Sequence, residues 1–212
     1  VSIALLLTNN SCNIFNFMIT KGVIFLENAK IKEFLEWIKS TVITCIITIA
    51  VITFIVSPTV VKGTSMMPTY EDGDIVLVNK IGKKISGIER FDVIVLEAPN
   101  GKTYIKRVIG LPGDHIAYEN DTLYINDEAN EEAYLDVYKK QLLDNSPLTE
   151  DFTLQSATDY STIPEGYLFV LGDNRRNSLD SRYASVGLVP MEKVFGKTNI
   201  RFYPLDSIGI VK

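Results

Sequence analysis

The chain has 212 residues, a formal net charge of -5, two cysteines and one histidine. Without a dense basic block it is not built to hold nucleic acid. Cys12 and Cys45 both lie in the apolar N-terminal part, so the rest has no disulfide framework or cysteine metal site, and a single His115 excludes a zinc site made of several histidines.

Residues 1–20 are apolar in two patches, Ile3 to Leu7 and Ile14 to Ile19, broken by Asn9, Asn10, Asn13 and Asn16. Neither patch can cross a bilayer. Met18 is the first methionine, and part of this stretch reads as an upstream extension with no fold of its own. Glu27 to Lys39 carries Ile31, Phe34, Leu35 and Ile38 at helical spacing between lysines and glutamates, the pattern of a juxtamembrane amphipathic helix.

Ser40 to Val61 is a run of 22 residues without a charge, and about 20 apolar residues cross a bilayer core as a helix. Thr41, Thr44, Thr48 and Thr53 can return their hydroxyls to the helix backbone, so they do not forbid insertion. Pro58 is expected to mark the helix end. A buried core helix, a pair of strands and a cleaved signal peptide are the competing readings. The last fits poorly, since the run lacks a small-residue cleavage site followed by a fresh mature start. Lys21, Lys30, Lys32 and Lys39 precede the run, whereas only Lys62 follows closely. This bias keeps residues 1–39 in the cytoplasm and sends residues 62–212 outward.

From Gly63 onward the pattern is β. Strands are predicted at Ile75 to Val78 after the turn Glu71-Asp72-Gly73-Asp74, at the apolar run Phe91 to Leu96, and at Thr103 to Ile109 after Pro99-Asn100-Gly101. His115 to Tyr118 and Thr122 to Ile125 flank Glu119-Asn120-Asp121 as a hairpin. Residues 127–162 are polar and acidic and read as a surface excursion. Gly166 to Leu171 returns to strand, and Val194 to Tyr203 is expected to supply a last pair. Many short strands with little helix predict a mainly β, barrel-like or sandwich domain behind one transmembrane helix.

Three segments carry possible chemistry. In Gly63-Thr64-Ser65-Met66-Met67-Pro68-Thr69, the glycine permits close backbone approach and Pro68 stiffens the loop. Met66 and Met67 can pack against lipid or an apolar substrate. A serine hydroxyl is a weak nucleophile and needs a nearby base and oxyanion donors. In a strand Tyr104, Lys106 and Val108 share one face and Ile105, Arg107 and Ile109 the other. If Lys106 is buried its pKa falls and it can act as a base; the alternative is a lysine on a solvated face. His115, after a Pro-Gly-Asp turn, is the rival base of a Ser-His-Asp arrangement and reads as a surface residue. Gly172 to Arg182 is too dense in turn formers and charges to be core. It is either a solvated loop or a rigid frame, with carboxylates paired to arginines and hydroxyls that orient an amine.

Together these segments resemble bacterial type I signal peptidases, membrane-anchored serine proteases with a Ser/Lys dyad. The matching boxes are Ser65-Met66-Met67-Pro68-Thr69, Gly73-Asp74-Ile75-Val76-Leu77-Val78, Lys106-Arg107-Val108-Ile109-Gly110-Leu111-Pro112-Gly113-Asp114, and Gly172 through Arg182. They occur in order over about residues 40–205. The resemblance implies that Ser65 attacks the scissile carbonyl and its backbone N–H serves the oxyanion. Lys106 would take the proton, Ser178 would hydrogen-bond the lysine, Asp180 and Arg182 would form a supporting salt bridge, and Asp173 and Arg175 would shape the loop. It implies secretory preproteins as substrates, cut after a small residue with small residues at the first and third positions before the cut, the peptide adding as a strand to an exposed edge. It implies the bilayer as a second partner, a bacterial cell membrane location, and no metal or cofactor.

Two departures stand out. Some relatives carry a serine two residues before the nucleophile to complete the oxyanion hole; here Gly63 stands there, as in the shorter, single-span Gram-positive enzymes. Arg176 replaces an aspartate of many relatives and is expected to lie outside the dyad. A self-cleaving repressor-type protease would need a DNA-binding head in place of the apolar run. A non-catalytic membrane-anchored assembly partner of the same fold is the other alternative, and loss of Ser65 or Lys106 would have favoured it.

Overall fold

The computed structural model describes residues 30–142 and 146–211. The readings made above on residues 1–20 lie outside them. The N-terminal unit is a helix, α1 (Lys30–Phe54), long and apolar enough to cross a membrane. Thr41 and Thr44 donate their hydroxyls to the carbonyls of Trp37 and Ser40, both at 2.9 Å, so these polar groups are satisfied within the helix. The amphipathic segment and the apolar run are one helix, and it stops short of Pro58. Val56–Val60 is instead a strand, β1, pairing antiparallel with β2 (Ile75–Asn79). Val56, Thr59 and Val60 are β-branched and favour a pleated surface, and Pro58 is tolerated because β1 is an edge strand that needs no second donor row.

The second unit is β-rich. After β2 come a short helix α2 (Gly82–Ile85), β3 (Val93–Glu97) and β4 (Thr103–Gly110). A smaller sheet is built from β5 (Ile116–Glu119), β6 (Thr122–Ile125), β7 (Glu128–Asn130) and β8 (Phe152–Thr153), with helices α3 (Asp136–Gln141) and α4 (Leu154–Thr158). The chain returns through β9 (Tyr167–Leu171), β10 (Val189–Pro190), β11 (Val194–Tyr203) and β12 (Gly209–Ile210). The large sheet has the order β1-β2-β11-β3-β4-β9-β10, with β12 on β11, and the small one β7-β6-β5-β8.

Three differences from the sequence-based expectation have physical reasons. Val194 to Tyr203 is one long strand rather than a pair. It serves β3 with its first half and β2 with its second, with bulges between that let it bend from one to the other. The 127–162 segment is not confined to the surface: Glu132, Leu135, Leu148, Thr149 and Leu154 are buried, because this segment supplies partners for a buried arginine described below. Strand β4 is buried on both faces. Ile105, Val108 and Ile109 each belong to a different one of three apolar clusters, so Lys106 has no solvated face to occupy, and that alternative is set aside.

Candidate active site

Lys106 is 3 % exposed, and its Nζ donates to Ser65 Oγ at 2.7 Å. The two residues come from different elements. Lys106 is fixed by the ladder from β3, opposite Ile94. Ser65 opens a tight turn between β1 and β2, closed by Met67 N–H to Thr64 O and Tyr70 N–H to Met66 O. Met66 anchors that turn. Rather than facing lipid, its side chain is buried with Val61, Tyr70, Val76 and Val78, which follows from an apolar residue being worth about 1.5–3 kcal/mol inside. Pro68, two residues further, is exposed.

Burial pulls the Lys106 ammonium down from its usual 10.5 to about 8. The charges of Asp180 and Asp173 push it up, and Arg182 adds to the fall. Among the described residues no carboxylate lies within ion-pair distance of Nζ. At pH 7 such an amine is neutral in only about one molecule in ten, against fewer than one in a thousand for an ordinary lysine, and the neutral form can accept the proton of the hydroxyl beside it.

The loop after β9 forms the wall behind the serine. At Gly172 a Cβ would lie 2.1 Å from Ser178 Oγ and 2.4 Å from the Ser65 carbonyl oxygen, so only glycine lets the loop close on Ser65. Asp180 accepts from Gly172 N–H at 3.0 Å and forms a bidentate pair with Arg182, both contacts at 2.8 Å. Arg182 Nη2 also donates to the Arg175 carbonyl at 2.8 Å. Asp173, fully buried, takes Arg107 Nε at 2.9 Å and Nη2 at 2.7 Å and also accepts from the Thr69 hydroxyl. One carboxylate therefore ties the serine turn, the lysine strand and the loop together.

A family model described as signal peptidase, peptidase S26, matches residues 34–203. The chain belongs to this family. It is 48 % identical over 156 residues to signal peptidase I of Bacillus caldolyticus, covering 74 % of this chain and 84 % of the relative. Over 180 residues it is 42 % identical to signal peptidase IB of Staphylococcus aureus, covering 83 % and 93 %. A solved signal peptidase I from Enterococcus faecalis V583 aligns with a TM-score of 0.49 and 46 % identity over 52 % of this chain and 95 % of that one. The protein is thus a bacterial type I signal peptidase, a serine-type hydrolase that removes signal peptides from secreted preproteins, and α1 is long and apolar enough to cross a membrane.

Against the roles that the signal peptidase resemblance implied, one contact differs. Ser178 Oγ is buried with no hydrogen-bond partner among the described residues, so the bond expected from it to Lys106 is not formed. Gly63 is exposed with φ +84°, and its N–H is taken by Asp72 Oδ1 at 2.6 Å. Arg176 is exposed and donates to the carbonyls of Ser146 and Pro147. His115 sits in the small sheet region, with Nδ1 2.9 Å from the Ser161 carbonyl.

Sequence reasoning missed the partner of Arg175. Its guanidinium is buried against Glu132 Oε1 at 2.5 Å, Tyr118 Oη at 2.6 Å, Tyr134 Oη at 3.1 Å and Thr149 Oγ1 at 3.2 Å. Burial favours the protonated Glu132, but the charge of Arg175 and hydrogen bonds from Arg175, Tyr134 and Tyr118 outweigh it and hold the carboxyl below its ordinary range. Arg107 was legible in its box but not as the clamp on Asp173. Its guanidinium lies 3.9 Å from the centre of the Tyr134 ring, and it donates to the carbonyl of Phe91 at 2.9 Å. Phe91 has φ +68°, a left-handed conformation uncommon for a bulky residue.

Proposed function

We infer that signal peptide cleavage here runs through a Ser65/Lys106 dyad. The observation that carries this is the 2.7 Å contact between a half-buried hydroxyl and an almost fully buried amine whose pKa is drawn down to about 8. With Nζ neutral, Ser65 passes its proton to it as Oγ attacks the scissile carbonyl carbon. The tetrahedral oxyanion is met by the Ser65 N–H. Collapse breaks the C–N bond, and the protonated Lys106 delivers its proton to the leaving amine. Water then attacks the ester left on Ser65 while Lys106 accepts its proton; the ester C–O bond breaks, Lys106 returns the proton to Oγ, and the cleaved signal peptide leaves with a free carboxylate.

The substrate would lie in a cleft of about 840 Å³ bordered by Val60, Lys62, Ser65, Tyr104, Ile105 and Leu179. Residues Thr103 to Lys106 of β4 pair with β3 on one side only, and β1 pairs only with β2. Two open strand edges thus face an extended peptide, which would pair as a strand before the cut. Small residues at the first and third positions before the scissile bond are what the family resemblance implies for this cleft. The lysine bias around α1 supports a cytoplasmic N-terminus, an extracytoplasmic catalytic unit and contact with the bilayer.

Ser65→Ala and Lys106→Ala are each expected to abolish processing of a preprotein by the detergent-solubilised enzyme, with the wild-type product mapped by its new N-terminus. Substantial cleavage by purified Lys106→Ala protein refutes the role of the amine. For topology, protease added to intact spheroplasts should cut beyond Lys62; protection there overturns the orientation.

A further inference from the structure

The missing side-chain donor at Gly63 leaves the oxyanion to backbone groups, and backbone donors work only if they are aimed. The Gly63 N–H cannot take part, being bound to Asp72. Asn174 reaches the two peptide units that flank the nucleophile. Its Nδ2 donates to the Thr64 carbonyl at 3.0 Å, and its backbone N–H donates to the Ser65 carbonyl at 3.1 Å. In a trans peptide the C=O and the following N–H point in opposite directions. Holding the Thr64 and Ser65 carbonyls against Asn174 therefore turns the N–H groups of Ser65 and Met66 to the far side of the turn. Neither N–H has an acceptor among the described residues.

The amide of Asn174 is itself oriented. Tyr138 Oη, from α3, donates to Oδ1 at 3.2 Å, which leaves Nδ2 facing Thr64. Asn174 is buried, so this geometry does not compete with water. Asn177 Nδ2 adds a second hold, on Thr64 Oγ1 at 3.0 Å.

We propose that Asn174 is a positioning residue for the oxyanion donors: by gripping the carbonyls on either side of Ser65 it aims the Ser65 and Met66 N–H groups at the developing negative charge, with Tyr138 fixing its amide. This rests on the Ser65 reading above. It gives the 127–162 segment a function, since Tyr138 brings that segment to the nucleophile. The clamp carries no charge, so it acts on transition-state stabilisation and not on the basicity of Lys106.

The test compares Asn174→Ala, Tyr138→Phe and Ser65→Ala in the full chain in detergent, with kcat, KM and pH profile measured on one preprotein and folding checked by thermal melting. Losing a well-aimed oxyanion donor costs roughly 10²- to 10³-fold in kcat. Misaiming one should cost Asn174→Ala about 10- to 100-fold, with KM within about twofold and the acidic limb of the profile unmoved. Tyr138→Phe should lose only about two- to fivefold, in kcat alone. A folded Asn174→Ala enzyme with wild-type kcat overturns the proposal, as does a loss accompanied by a moved acidic limb, which marks a general loosening of the dyad. Should Asn174→Ala fail to fold, Tyr138→Phe decides, and an unchanged kcat there counts against the clamp. Activity in Ser65→Ala would instead remove the reading beneath it, whereas an inert Ser65→Ala beside a wild-type Asn174→Ala removes the clamp alone.

Discussion

The floor under the 172–182 loop and the neighbouring end of β4 both bury cations, but they treat them differently. Under the loop, Arg175 meets Glu132 and three hydroxyls, and Arg107 meets Asp173. On β4, Lys106 has no carboxylate partner among the described residues; its Nζ donates to the hydroxyl of Ser65 and lies 5.3 Å from the centre of the Tyr104 ring. A buried charge with a carboxylate and its hydrogen bonds filled stays charged, whereas one without them is relieved by losing its proton. Guanidinium does not give up its proton in proteins and ammonium does. Two arginines that stay charged and one lysine that can give up its proton are therefore an assignment that these side chains could not exchange.

Breaking the arginine side should have the largest effect. Glu132→Gln keeps the shape but leaves the Arg175 charge buried without a counter-ion, which costs about 3–5 kcal/mol and should appear as a large shift in urea denaturation of the detergent-solubilised chain. The folded carboxyl is held low, so the Glu132 contribution is present above the ordinary carboxylate pKa and lost only as pH falls through the lower folded value. A loss below about 1 kcal/mol would mean that Tyr118, Tyr134 and Thr149 suffice alone, and the contrast with Lys106 would be weaker than drawn.

The basic side should respond in the opposite direction. Lys106→Met is expected to be inactive yet more stable at pH 7. A fall from 10.5 to about 8 converts to about 3 kcal/mol of penalty carried by the native state. The sign follows from which state sheds its proton first. Below pH 8 both states carry the ammonium and only the folded one suffers its burial. Between about 8 and 10.5 the folded chain releases the proton first, so wild-type stability rises with pH. The advantage of Lys106→Met should therefore be full below pH 8 and gone above about 10.5, in chemical denaturation at several pH values. An advantage that is absent at pH 7 would show that the amine is not desolvated.

What could be read from the sequence was local, and what could not was paired at a distance. The strands of β2, β4, β6 and β9 follow from their apolar runs within a residue or two, because such runs have one way to be buried. The family boxes brought out Ser65, Lys106 and Asp180 because each is framed by glycine, proline or aspartate in a fixed order. Pro58 misled because it can end a helix or sit on an edge strand, and only the pairing of Val60 with Ile75 decides between them. Glu132 was invisible because the arginine it neutralises lies 43 positions away, and an acidic stretch looks solvated until its partner is placed. Lys106 was undecided for the same reason: alternation along β4 says which residues share a face, not that both faces are covered.

The finest adjustment of the contrast lies in Asp180, which is near enough to act on Lys106 without pairing with it. Among the nearby charges its carboxylate is the strongest influence raising the amine's pKa, and Arg182 acts in the opposite sense. Asp180→Asn keeps an oxygen to accept from Gly172 N–H but removes the negative charge and leaves Arg182 uncompensated. Both changes favour the neutral amine, so the acidic limb of kcat/KM against pH should move below that of the wild type, by a fraction of a unit to about one unit. Activity at low pH would fall less steeply even if the maximum is reduced by a looser loop. A limb that moves upward, or does not move while the enzyme stays folded, would show that Asp180 serves only to hold Arg182 and the loop, and that burial alone sets the basicity of the lysine.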